Sequence, residues 1–317
     1  MTDKKILFIT YDLSGYYDAI HDELNKQYKH VDYYNIASLK KYKYKHIFEK
    51  AYATMYKIIT KNKLKNFHKL QPIIEATAGK TYDYILIVRP DLFFDSQLAI
   101  LKSKTKNCIA YYHDSINNIT RKKEVISFFD KVYSYEKKDV TDFNLSFLPN
   151  FIYLNQDHTK TASVYDAFTI MSKDFRFNTL EKLASYFKKK DIKYEFLVQS
   201  DKKIESELIH FIQERKNNKQ VLAYLLKTDI IVDIHKYGVQ DGLTFRVFES
   251  LFFEKKLITT NTDIKNYDFY NPNNIHVIEP DSEINIPDTF FNTPYQNIPT
   301  EIYQKYHYTS WLKTILS

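Results

Sequence analysis

The segment Asp229–Asn261, DIIVDIHKYGVQDGLTFRVFESLFFEKKLITTN, holds the residue types and spacing best suited to chemistry. An apolar run ends at Ile234, a loop carries Gly238 and Gly242, two of the chain's 4 glycines, and a helix opens with Thr244. A glycine-containing loop entering a helix presents free backbone N–H groups and a positive dipole end, which suits a phosphate. Arg246 in the first turn can add charge-assisted hydrogen bonds to a diphosphate. Glu249, three residues further on, lies on a neighbouring face, where its carboxylate can accept both hydroxyls of a ribose. The same residues also fit a plain cap at Thr244 with a surface ion pair between Arg246 and Glu249. In the first half, Asp12 in YDLSG, Asp91 in RPD, and His113 with Asp114 in YHDS each follow an apolar run. These types can take a proton from a hydroxyl, and each also fits a turn residue or helix cap.

The elements that carry these residues alternate, strand and helix, through the first half. KKILFIT, HVDYYNI, YDYILIVRP, NCIAYYHDS, DKVYSYE and LSFLPNF read as strands, with a helix-compatible segment from Tyr16 to Lys26. YDYILIVRP is continuously apolar, as a strand buried on both faces must be. The pattern restarts near Asp166: DAFTIMS is a strand, Phe175 to Lys189 a helix, KYEFLVQ a strand, and Glu205 to Arg215 a helix. VLAYLLKTDIIVDIH then supplies a turn of helix and a strand, TFRVFESLFFEKK a helix, and LITTN and NNIHVIE two strands. Residues 301 to 316 read as helical around Trp311. Such alternation predicts α/β architecture with parallel sheets covered by helices, divided near the polar stretch NQDHTKTAS.

The string GLTFRVFESLFFEKKLITTN resembles the donor-site segment of GT-B glycosyltransferases, in particular bacterial polysaccharide and lipopolysaccharide transferases and the CgeB-like group. Their pattern is roughly G-L-T-x-R-x-x-E-x-L, followed by a strand ending in T-x-N. Family members often carry a glycine where this chain has Glu254 or Lys255. The resemblance implies two Rossmann-like, doubly wound domains facing a cleft. It implies an acceptor-binding domain over 1–157, a donor-binding domain over 158–300, and a helix over 301–317 crossing back to the first. Carried over by position, Glu249 holds the nucleotide ribose, while Gln240, Asp241, Gly242, Thr244 and Arg246 meet phosphate and sugar, and Asn261 faces the same cleft. Lys173 and Arg176, in SKDFR, would border the diphosphate and stabilise the departing nucleotide, or simply begin a solvated helix. The acceptor base is sought among Asp12, Asp91, His113 and Asp114, with Asp91 and Asp114 favoured because each follows a strongly apolar strand. The implied activity is transfer from a nucleotide-sugar, as co-substrate, to a saccharide or lipid-linked saccharide in capsule or lipopolysaccharide synthesis. A non-catalytic nucleotide- or sugar-binding protein of the same fold is the alternative.

Composition narrows the field further. At 317 residues with 44% hydrophobic and 27% charged residues, the chain can form two packed domains. D-x-D is absent, which argues against the metal-dependent GT-A class, and there is no H-E-x-x-H, C-x-x-C pair, G-x-S-x-G or Walker loop. The expectation is therefore no metal and no resident cofactor. The lone Cys108 fits a reducing, cytoplasmic setting. MTDKKILFIT does not read as a signal peptide, and no run approaches the roughly 20 apolar residues of a membrane span. The net charge of +7 is uneven: residues 40–69 hold ten lysines and one acid, Glu49, with Ile47, Ala51, Met55, Ile58 and Ile59 at helical spacing. A basic amphipathic helix suits peripheral contact with an anionic membrane at the inner face of the plasma membrane, or is a surface helix with a solvated lysine face. No sequence module supports a nucleic-acid partner.

Overall fold

The computed structural model describes residues 1–60, 63–155, 161–280 and 282–317. The expected boundary at 157/158 lies outside the described residues. The chain divides into two compact units, residues 1–148 with 312–317, and residues 149–311.

In the first unit, β1 (Thr2–Thr10), β2 (Tyr28–Asn35), β3 (Tyr84–Val88), β4 (Cys108–Tyr112), β5 (Lys131–Ser134) and β6 (Ser146–Phe147) form one sheet. Its order is β2-β1-β3-β4-β5-β6, and neighbours run parallel. Parallel neighbours need crossovers, supplied by α1 (Asp18–Gln27), α2 (Ile47–Thr60), α3 (Leu64–Ala76), α4 (Asp95–Lys102), α5 (Arg121–Glu124) and α6 (Lys137–Phe143). Leu70, Ile73 and Ile74 of α3 and Leu98 and Leu101 of α4 share a core with Leu7, Ile9, Ile85 and Ile87. The chain runs outward from β1 to β2, returns to β3, then proceeds the other way. In an open parallel sheet such a reversal leaves a crevice at the carboxyl ends of the two strands involved, here β1 and β3.

The second unit repeats the plan with β7 (Tyr165–Ser172), β8 (Tyr194–Gln199), β9 (His210–Ile212), β10 (Thr228–Asp233), β11 (Lys256–Thr259) and β12 (Ile275–Val277). The order is β12-β11-β10-β7-β8-β9, again parallel, and the reversal falls between β7 and β10. The helices are α7 (Phe177–Lys189), α8 (Asn218–Leu226), α9 (Phe245–Phe252), α10 (Asp288–Asn292) and α11 (Thr300–Lys305), while α12 (Tyr308–Ile315) begins in this unit and ends in the segment counted with the first. Phe168, Leu197, Ile231, Val247, Phe248 and Leu257 anchor one core face; Leu183, Phe187, Phe196, Val198, Val232 and Ile258 anchor the other.

Two elements depart from expectation. The helix expected over 205–215 is instead loop around β9, a three-residue edge strand paired with Leu197–Gln199; sheet pairing overrides the helix-forming lysines and glutamates around it. The helix expected over 301–316 is broken into α11 and α12. Ile152 N–H donates to Tyr306 O at 2.8 Å and Tyr308 N–H donates to Ile152 O at 3.0 Å, so this backbone pairs like a strand rather than within a helix.

With so few glycines, helix ends use other residues in the left-handed region: Asn144 (φ 53), Asp191 (φ 55) and Glu254 (φ 52). At the end of α9, Lys255 N–H reaches Ser250 O at 2.9 Å and Glu254 N–H reaches Leu251 O at 3.4 Å. This is the two-bond stop usually built around glycine.

Candidate functional site

Both reversals gather the candidate residues of their own unit. In the second unit, β10 ends at Asp233, buried in the strand end, whose two oxygens accept from Thr244 Oγ1 (2.9 Å) and Thr259 Oγ1 (3.2 Å). The carboxylate thus ties the start of α9 to the end of β11. Thr244 caps α9, its Oγ1 accepting from Arg246 N–H at 3.2 Å. Asn261 sits beyond β11 and donates to the carbonyls of Asp241 (2.9 Å) and Gly242 (3.4 Å), pinning the loop from below. Gly238 in that loop has φ 75 with open space where a Cβ would stand, so its backbone conformation, not crowding, calls for glycine. Gln240 closes a turn through its N–H to Lys236 O at 2.9 Å.

Arg176, past the end of β7, spans the reversal. It donates to Ile234 O at 2.7 Å and forks onto Asp174 at 2.8 and 2.7 Å. Lys173 stands apart, its ammonium 4.9 Å from the Phe177 ring centroid. Glu249 has no exposure. Arg246 pairs with one of its oxygens and Tyr153 Oη donates to the other at 2.6 Å. Phe245 packs edge-on against Phe151 and Tyr153, walling off this pair. The Arg246–Glu249 pair is therefore half-buried, its carboxylate enclosed and its guanidinium reaching the surface, not the fully exposed pair that spacing alone would allow.

In the first unit, Arg89 follows β3 in the left-handed region (φ 70), a conformation a non-glycine residue keeps only where its surroundings hold it. It forks onto Asp91 at 2.9 Å twice, lies 3.9 Å from Asp114 Oδ2, and stacks its guanidinium over Tyr11 at 5.4 Å. Tyr11 follows β1 and Arg89 follows β3, so this contact bridges the reversal. His113 Nε2 lies 3.7 Å from Asp114 Oδ2, and its Nδ1 lies 3.0 Å from Tyr17 Oη. Burial pushes the His113 pKa down to about 4, against the opposing pull of Asp114. Lys122, wholly buried, donates to Asp114 O at 2.5 Å. Burial pushes its pKa down to about 8, again opposed by Asp114 and Asp91. Asp12 is engaged elsewhere, accepting from the amides of Ser14 (2.8 Å), Gly15 (2.9 Å) and Tyr17 (2.8 Å). It shapes the loop that delivers Tyr17 to His113.

Sequence reasoning therefore finds Asp91, His113 and Asp114 as one cluster and the loop–helix segment as another. It misses Arg89, Tyr17, Lys122, Asp174, Asp233, His235 and Tyr153. Arg89 had a signal, a cation wedged between an apolar run and Pro90. Lys122 had none, as the middle of three consecutive basic residues. His235 shares the crevice, with Nδ1 2.8 Å from Thr260 Oγ1. Burial lowers its pKa against the pull of Asp233. Among the described residues no three His, Cys, Asp or Glu side chains are disposed to hold a metal ion. A cavity of about 1260 Å³ in the second unit opens among Asp166, Asp229 and Lys256, at the opposite ends of the strands, and holds none of the candidate residues.

The two parallel sheets with crevices at their reversals define a class, and solved structures share it. The chain has the GT-B fold of glycosyltransferases, two Rossmann-like domains, as the donor-like segment led one to expect. AviGT4, a glycosyltransferase involved in avilamycin A biosynthesis, is 10% identical with a TM-score of 0.55, over 99% of this chain and 98% of that one. Sucrose-phosphate synthase from Thermosynechococcus elongatus is 10% identical, TM-score 0.54, over 99% and 92% of the two chains. A UDP-forming α,α-trehalose-phosphate synthase from Burkholderia vietnamiensis is 8% identical, TM-score 0.54, over 99% and 96%. No protein-family model and no curated protein matches the chain.

Proposed function

We propose that this protein is a metal-independent glycosyltransferase that takes a nucleotide-sugar in its second unit and passes the sugar to a saccharide or lipid-linked saccharide. The product would be a bacterial surface polysaccharide, capsule or lipopolysaccharide, made at the cytoplasmic side of the plasma membrane. The observation that carries the reading is the start of α9. A capped helix N-terminus stands at the sheet reversal, with Arg246 in its first turn and Glu249 behind it. Backbone N–H groups and the helix dipole there suit a diphosphate, and Arg246 suits its charge. In this reading Arg246 turns from Glu249 to the diphosphate, and the released carboxylate oxygen accepts the ribose hydroxyls. Arg176, Gln240, Asp241 and Asn261 border or brace the same loop, and Lys173, past the end of β7, is assigned to the departing diphosphate by the resemblance.

In the reaction the anomeric carbon–oxygen bond to the diphosphate breaks, the nucleoside diphosphate leaves, and the acceptor hydroxyl bonds to the anomeric carbon as it loses its proton. Among the candidate bases, Asp114 is the most open, with 26% of its side chain exposed, against 5% for Asp91, which Arg89 clamps. Asp114 is the favoured proton acceptor, with Arg89 and His113 orienting it and Asp91 holding Arg89. A second reading draws on the same clamp: with Asp91 locked by Arg89, the fold would bind nucleotide or sugar without turnover.

The test is a thermal-shift screen against UDP, GDP, CMP, ADP and dTDP, with and without EDTA. Ligand that binds only the folded state stabilises it by about 2.7 kcal/mol at roughly a hundredfold excess over Kd. The expected result is an EDTA-insensitive rise with one nucleotide that Glu249→Gln removes, each shift being read against the unliganded midpoint of the same variant, which falls in Glu249→Gln because Arg246 loses its partner. No shift with any nucleotide would sink the transferase reading. A shift without hydrolysis or transfer of the matching sugar donor would favour the non-catalytic one.

A further inference from the structure

The helix α2 wears its apolar face on the outside. At 3.6 residues per turn, Ile47, Phe48, Tyr52, Met55, Ile58 and Ile59 fall within one arc of about 140°. Each of these side chains is between 55% and 79% exposed. The opposite arc faces the protein: Ala53 is the buried residue of the helix, and Tyr56 stacks on Phe94 with centroids 6.3 Å apart. Glu49, the only acid of residues 40–69, is held by the segment before the helix, accepting from Tyr42 Oη and, at 2.7 Å, from Lys45 N–H. A surface helix ordinarily buries its apolar stripe against its own core; α2 does the reverse. Lys50 and Lys57, both exposed, lie about 60–80° round from Ile47 on one side of the stripe, and exposed Lys40, Lys41, Lys43, Lys45, Lys63 and Lys65 flank the helix in the chain.

We infer that α2 is a docking face for an anionic lipid surface, lying in the plane of the interface with its apolar arc among the acyl chains and its lysines at the phosphates. Complementary charge selects this occupant. With Glu49 taken up by Tyr42 and Lys45, one side of the stripe and both flanking segments are cationic, so a second copy of the same face would meet like charge. The face is also too small for self-association: 14 residues make a helix about 21 Å long. An arc of that length covers a few hundred Å², short of the roughly 800 Å² per partner in stable complexes. No helix among the described residues is long and apolar enough to cross a membrane, so the contact is interfacial. The inference stands on residues 40–60 and 63–65 and needs neither donor nor acceptor.

The experiment is co-sedimentation of the full chain with vesicles of phosphatidylcholine alone or mixed with phosphatidylglycerol, at low and high salt. The wild type is expected to partition at least roughly tenfold more strongly onto the anionic vesicles, and less so in high salt. Ile58→Asp with Ile59→Asp should lower that partition roughly tenfold or more with an unchanged melting midpoint, because both side chains are already exposed. Lys50→Glu with Lys57→Glu should lower it similarly, and decides the matter if the first variant folds poorly. Failure to sediment with anionic vesicles overturns the inference. So does equal, salt-insensitive binding to neutral vesicles, or a dimer in gel filtration that the isoleucine variant alone dissociates.

Discussion

A carboxyl group deprived of all solvent is costly unless its oxygens find partners, and those of Glu249 find Tyr153 and Arg246. Spacing makes the Arg246 partner visible in the sequence; Tyr153, 96 positions away, has no local mark. His113 shows the converse case, a basic group that burial keeps uncharged. Below a pH of about 6.5 the unfolded imidazole takes a proton, whereas the folded one takes it only near pH 4. Between those values the unfolded state binds more protons, so stability falls as pH falls. A difference of that size corresponds to at most about 3 kcal/mol. Urea unfolding from pH 7 to 4.5 should show this acid loss in the wild type and a smaller one in His113→Gln. Equal losses would mean that His113 is charged in the folded protein.

At the scale of elements, strands and most helices were legible because buried parallel strands must be apolar throughout and helices repeat near every 3.6 residues. β9 was not legible, because a short edge strand owes its form to β8 beside it rather than to its own residues. The break between α11 and α12 likewise comes from Ile152, which captures the backbone of Tyr306 and Tyr308. The stop after α9 was half legible: the resemblance marks Glu254 or Lys255 as a place for glycine, and Glu254 does take the left-handed conformation. That conformation costs a non-glycine residue roughly 1–2 kcal/mol, while glycine's extra freedom in the unfolded chain takes back about 0.5–1 kcal/mol. Glu254→Gly should therefore raise the melting midpoint by about a degree or two. Glu254→Ala should not raise it; a gain in both variants would trace the effect to the lost charge instead.

At the scale of the whole molecule, each unit has its own sheet, its own reversal and its own cluster of polar residues at that reversal. If the second unit carries the donor, a bound nucleoside diphosphate should slow hydrogen exchange across residues 235–246 and leave residues 84–93 unchanged. Protection centred on 84–93 would reverse the assignment of the units. The sequence by itself determined two α/β sheets, the loop and capped helix from Gly238 to Glu249, and the basic character of residues 40–69, since all of these rest on local composition and periodicity. Only the tertiary structure decided that Arg89 bridges Asp91 and Asp114, that Tyr17 meets His113, that Asp12 serves its own loop, and that α2 turns its apolar arc outward. Those facts depend on strand order and on which helix covers which face, and both are settled by contacts between residues far apart in the chain.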